Sequence, residues 1–271
     1  MRFAKQLPIG KTDLRFEVET TRQKKIKEET ESKRKLYLGV RVIGLLALLT
    51  LGVITWTIFG RNFTPPEISD GDLDHSPYHL KGPVLAMEFI QTPEQLKTIL
   101  GTVDPTHNHQ EMLEEIHRDY FFIAAYALLY IALSLLLAHR HQRRWAVYLA
   151  WVAAICGISA ALFDVRENIE IVNLLSGSTT NPQEIVSTIH LAATVKWVLS
   201  FITIAILALN FYASEGWLLV VGFAFRLTAV VGLIGLWYLP ILMLAVGPLV
   251  PALLVLFILG LFRPQKFIEE L

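Results

Sequence analysis

Residues 217–262 read WLLVVGFAFRLTAVVGLIGLWYLPILMLAVGPLVPALLVLFILGLF, forty-six positions with a single charge, Arg226. About 20 consecutive apolar residues suffice for a helix to cross a bilayer, so this stretch is long enough for two crossings joined by a tight turn. Pro240 marks the break, because proline cannot continue a helix without losing a hydrogen bond. The expected spans are Trp217–Trp237 and about Ile241–Phe262. Pro248 and Pro251 kink the second of them.

Working outward, the same signal recurs at about Leu36–Phe59, Tyr120–Ala138, Trp145–Phe163 and Leu191–Tyr212, giving six spans. The 271-residue chain is 54% hydrophobic and 18% charged, with 24 Lys/Arg against 24 Asp/Glu. A soluble domain carries about 25% charged residues. Soluble globular enzymes and disordered chains are both excluded. Cys156 is the only cysteine and lies within an apolar helix, so it reads as a packing residue, without a disulfide framework or a CxxC pair.

Charge distribution sets the orientation. Residues 1–37 hold 11 Lys/Arg, the loop 139–144 holds Arg140, Arg143 and Arg144, and the C-terminus holds Arg263 and Lys266, 16 in all. The opposite side holds Arg61, Lys81, Lys97, Arg118 and Arg166, five in all. Positive residues stay in the cytoplasm, so both termini are expected inside. The chain then divides into a basic cytoplasmic tail (1–35), a first transmembrane helix (36–60), an external cap (61–118) and a five-helix transmembrane bundle (119–271). Within the tail, Thr21–Lys35 can form a charged helix, whose basic residues serve as a topology signal or bind anionic lipid.

The cap contains Pro65-Pro66 and the acidic run Asp70, Asp72, Asp74. Val84–Ile90 alternates residue types and is expected as a short strand. Thr92-Pro93-Glu94-Gln95 reads as a helix start, with Thr as N-cap, Pro in the first helical position and Gln in the capping-box position. The expected fold class is therefore an all-α integral membrane protein of about six transmembrane helices, N-in and C-in, with a small external α/β cap. That cap folds onto the helix ends and carries Glu88 toward the bundle.

Ionisable residues near the membrane are costly unless paired or wetted, which makes each a functional candidate. Asp119 opens the second span, and Asp164, Glu167 and Asn168 share one helical face at the external end of the third, with Ile171 continuing it. Asp119, Tyr126 and Tyr130 align on the second helix, and Lys196 sits in the fourth. Two readings stay open. Lys196 neutralises Asp164 or Asp119 and locks three helices together, or the group forms an external-leaflet pocket. In such a pocket a carboxylate acts as base or binds a cation, and Lys196 holds an anionic head group. Arg226 lies mid-span and is either a structural anchor or a residue of a ligand or ion path. The ligand-binding candidates are thus Glu88, Asp119, Tyr126, Asp164, Glu167, Asn168, Lys196 and Arg226.

Other signals are weaker. His75, His79, His107 and His109 with the Asp70–Asp74 run have metal-ligand chemistry without EF-hand spacing. His117 and His190 lie near external helix ends, where two histidines have haem-ligand chemistry. No P-loop, GxGxxG, GxSxG or HExxH occurs, no cofactor or catalytic nucleophile is indicated, and nothing points to nucleic acid. The expected partners are the lipid bilayer and a small ligand or lipid.

Val84–Leu100, Asp119-Tyr120 and Asp164–Asn168 resemble a group of bacterial multi-pass membrane proteins of unassigned function. That group shares a strand-like segment ending in Phe-Glu or Glu-Phe, a Thr-Pro-Glu helix start and a helix opened by Asp-Tyr or Asp-Phe. An Asp-x-x-Glu-Asn helix end and a Lys in the next helix complete its pattern. The matching residues here are Glu88, Asp119, Asp164, Glu167, Asn168 and Lys196. The resemblance spans roughly residues 82–212. It implies a core of three or four helices, with the first and last spans as additions, and a place in the bacterial plasma (inner) membrane. It brings no activity.

Overall fold

The computed structural model describes residues 11–59, 83–100, 105–140, 143–177, 180–211 and 214–271. They form two units, residues 1–39 and 40–271. The described elements are α1 (Lys11–Phe59), α2 (Pro83–Glu88), α3 (Pro93–Leu100), α4 (Pro105–Arg140), α5 (Arg144–Leu175), α6 (Pro182–Asn210) and α7 (Gly216–Gly235). After these come α8 (Leu239–Leu242), a 3-10 turn (Met243–Ala245), α9 (Val246–Phe262) and α10 (Pro264–Glu270). Five of the helices are long and apolar enough to cross a bilayer. With 17 residues, α9 is only about 26 Å long, short of the roughly 30 Å hydrocarbon thickness. It counts as a sixth crossing only together with α10, from which it is bent by 120°. The protein is an integral, multi-pass, all-helical membrane protein.

In the first unit, Glu29–Lys33 and Glu31–Lys35 pair one turn apart at 2.9 Å, an arrangement that supports an exposed helix. The expected helix over Thr21–Lys35 is present.

In the second unit, α5 packs between α4 and α6, α6 against α7, and α7 against α9. The start of α1's membrane half crosses α9 at two glycines. A Cβ on Gly44 would lie 2.8 Å from the Leu261 amide nitrogen, and one on Gly260 would lie 2.6 Å from the Gly44 Cα. Only residues without a side chain let two backbones approach this closely in a membrane.

One end of the bundle gathers the end of α4, the start of α7 and the C-terminal α10. The Arg140 guanidinium donates to the Ile268 carbonyl at 3.4 Å. α10 leaves α9 at 120° and brings Glu270 to the start of α7. There the Glu270 carboxylate accepts from the amides of Trp217 (2.8 Å) and Leu218 (3.2 Å). Those amides have no partner within their own helix. Gly216, at φ +55°, has no room for a Cβ, which would lie 2.6 Å from Glu270 Oε1. Glu270→Ala is therefore expected to cost about 1 kcal/mol through loss of this cap, read as a lower melting temperature of the purified protein. Glu270→Gln retains part of the cap and should fall between the two.

The external strand is not found: Val84–Glu88 belongs to the helix α2, and no strand occurs among the described residues. A lone strand beside a membrane leaves its ladder groups unpaired, whereas a helical turn satisfies them locally. The apparent alternation reflects burial on several sides, since Ala86, Met87, Phe89 and Ile90 are all buried. The expected helix start is present. Gln95 Oε1 accepts from the Gln91 and Thr92 amides at 2.6 and 3.2 Å, the reach-back of a capping box.

Boundaries also move. The last residues of the segment expected as the cap, from Pro105 to 118, belong to the same helix, α4, as the second span. α5 continues through Leu175 and α6 begins at Pro182, so much of the connection expected over 164–189 is helical. Pro65-Pro66, the Asp70–Asp74 run and His75, His79 lie outside the described residues.

Candidate functional site

Asp164, Glu167, Asn168 and Ile171 occupy the extension of α5, one face repeated at three- and four-residue intervals, and all four are buried. That face carries the helix three turns past its apolar run, because its carboxylates have partners in the bundle. Lys196 supplies the charge. It lies on α6 about four turns from Pro182, and its ammonium is buried.

Lys196 Nζ stands 2.8 Å from Asp164 Oδ1, 3.0 Å from Glu88 Oε1 and 3.0 Å from Glu167. The Glu167 hydrogen bond goes to Oε1, leaving the buried Oε2 without a donor. An ammonium has three hydrogens, and three carboxylates take them. The anionic head group considered for Lys196 therefore finds no free donor there.

A second ring of hydrogen bonds fixes the carboxylates. Tyr126 donates its hydroxyl to Asp164 Oδ2 at 2.8 Å. Trp197 donates its indole N–H to Glu88 Oε2 at 2.7 Å. Asn168 donates to Asp119 Oδ2 at 2.7 Å. Below, Tyr130 and Ser200 line the cavity that the cluster borders. Glu88 arrives on α2, so this short helix adds to a cluster whose other members come from α4, α5 and α6. Burial pushes the Glu88 carboxyl above its ordinary range and Lys196 pulls it back, while the Asp164 charge raises it further.

The cluster borders a cavity of about 790 Å3. Glu88, Asp119, Tyr126, Asp164 and Lys196 form part of its polar end. Apolar side chains continue its wall along α1 (Leu48–Ile54), α4 (through Leu133), α6 (through Ile204), α7 (Phe225) and α9 (through Leu253). Among the described residues, the basic end contributes nothing to the wall.

Of the eight candidates, seven converge and Arg226 does not. It is half-buried on α7 and outside the wall, although its neighbours Phe225 and Thr228 line it. Sequence reasoning missed Trp197, because adjacent helical residues do not share a face. Ser200 was detectable, being one turn beyond Lys196. His117 engages the Leu113 carbonyl of its own helix, and His190 meets Phe89 edge-on. Among the described residues no three His, Cys, Asp or Glu side chains converge to hold a metal ion.

Comparison with known proteins assigns nothing further: no family model, curated protein or solved structure matches the chain.

Proposed function

We propose that this protein binds a small amphipathic ligand, a lipid or lipid-like molecule, in a pocket whose polar end faces the external leaflet of a bacterial plasma membrane. The observation that carries this reading is one cavity of about 790 Å3 whose wall changes from charged to apolar along its length. Ligand sites typically measure about 300–1,000 Å3, with few polar groups on mostly apolar walls. Glu88, Asp119, Tyr126, Asp164, Glu167, Asn168 and Lys196 build the polar end or hold it in place. The charge asymmetry of the loops supports this orientation, with that end outside and both termini in the cytoplasm. A wall to which, among the described residues, the basic end contributes nothing favours binding over conduction.

Native mass spectrometry of the protein extracted in mild detergent tests this. A non-covalent adduct of lipid-like mass is expected, and it should be lost in Leu249→Trp, which places an indole in the apolar wall. The bare protein mass in both would refute the proposal.

One observation favours a second reading, an assembly subunit whose charges only fix packing: every ammonium hydrogen of Lys196 is already engaged. Under that reading Leu249→Trp changes no adduct, and Asp119→Asn affects melting alone.

A further inference from the structure

The polar end of the cavity is short of positive charge. Glu88, Asp164 and Glu167 contact Lys196, and Asp119 joins them through Asn168, so four carboxylates share one ammonium. Like charges confined in one buried site repel strongly. The other cation of the wall, Arg118, pairs with Glu114 at 2.7 Å and so faces its own acid.

Asp119 differs from Glu88 and Asp164 in its hydrogen bonds, and from Glu167, which also has an oxygen without a donor, in lining the cavity. Each oxygen of Glu88 and Asp164 has a donor, whereas Asp119 accepts one hydrogen bond, at Oδ2 from Asn168. Among the described residues its Oδ1 has no hydrogen-bond donor, and Asp119 lines the cavity. Tyr126 stands two turns below it on the same helix, where the wall turns apolar.

The wall also reaches lipid. Leu48 and Leu49 of α1 are 37% and 49% exposed and Phe121 of α4 is 75% exposed, and all three line the cavity. These side chains face hydrocarbon in a bilayer, so an amphiphile has a lateral way in between α1 and α4. Pinned to α9 at Gly44 and Gly260, α1 lines the space with residues 48–54, beyond that crossing.

We propose that the ligand is a single-chain amphiphile with a primary ammonium head, which is seated on Asp119 Oδ1 while its chain occupies the apolar trough. This deepens the binding reading above and rests on it. An ammonium supplies the charge the cluster lacks and the hydrogens that Asp119 can accept. A carboxylate or phosphate head supplies neither and adds a further acidic group to four that share one ammonium. At pH 7 an alkyl amine is protonated, as lysine is, so its charge is present throughout.

The test uses the full chain in phosphatidylcholine nanodiscs with three radiolabelled probes of equal chain length: hexadecylamine, hexadecanol and hexadecanoate. Binding is counted above the background set by Leu249→Trp. The amine is expected to bind at least tenfold more tightly than the alcohol, and hexadecanoate more weakly than either. Asp119→Asn should reduce the amine to the level of the alcohol without changing the alcohol, and Asp119→Glu should keep the preference. Equal binding of amine and alcohol, or an amine preference that survives in Asp119→Asn, overturns the ammonium assignment alone. If no probe exceeds the background, the cavity-binding reading itself falls.

Discussion

Lys196→Met is expected to destabilise the bundle by about 3–5 kcal/mol, the cost of removing one partner from a buried ionic group. The methionine fills similar volume, so packing is nearly conserved and the loss is electrostatic. Glu88, Asp164 and Glu167 would then face one another within the same buried space with no cation between them. The expected readout is a large fall in melting temperature, or failure to recover monodisperse protein from the membrane. Adding Glu167→Gln and Asp164→Asn to Lys196→Met removes the stranded charges and should restore part of the loss. A Lys196→Met protein that melts like the parent would mean that the carboxylates do not depend on this ammonium.

Gly260→Leu is the second large effect expected. Its Cβ would enter the space of the Gly44 Cα at 2.6 Å and the Val40 carbonyl oxygen at 2.9 Å. Both are backbone atoms, so no rotamer change relieves the overlap and α1 must move off α9. Overpacking of this kind costs about 1–3 kcal/mol. Here it also displaces the Leu48–Ile54 wall, so ligand capacity should fall along with stability. Gly247→Leu on the same helix is the control: nothing lies within 4 Å of its Cβ position, and it should melt like the parent. Disulfide trapping between cysteines at positions 43 and 261 would report the separation directly, with cross-linking expected to drop in Gly260→Leu.

Much of this architecture is local information. An apolar run of bilayer length states its own conformation, because every backbone group must be satisfied within the segment. The five long apolar helices were legible for that reason. The face shared by Asp164, Glu167 and Asn168 was legible as well, since helical spacing alone aligns them. Glu88 was placed correctly near the bundle although its segment is a helix rather than a strand. Seven residues of alternating character do not separate the two periods, and the deciding factor was the absence of a neighbouring strand.

What stayed hidden depends on contacts between distant segments. The crossing of Gly44 and Gly260 joins residues more than two hundred positions apart, and a glycine in an apolar run carries no mark of what it touches. The continuation of α5 past Phe163 was obscured because its charges looked like a loop; Asp164 and Glu167 are buried against Lys196 of α6, and Glu170 pairs with Arg166. Trp197 sits one residue from Lys196 yet reaches Glu88 on α2, which no single-helix pattern reveals. Arg226 shows the converse: its position in an apolar run made it conspicuous, but the face of α7 that lines the cavity carries Phe225 and Thr228 instead.

The most direct measurement is photoaffinity mapping with two hexadecylamine probes, one carrying its diazirine beside the amine and the other at the chain end. Head-labelled peptides are expected around Asp119–Tyr126, and chain-end labels within α7 and α9 from Phe225 to Leu253. Labels concentrated instead on the lipid-exposed face of α5, around Tyr148, Ile155 and Leu162, would contradict an amphiphile held in the cavity.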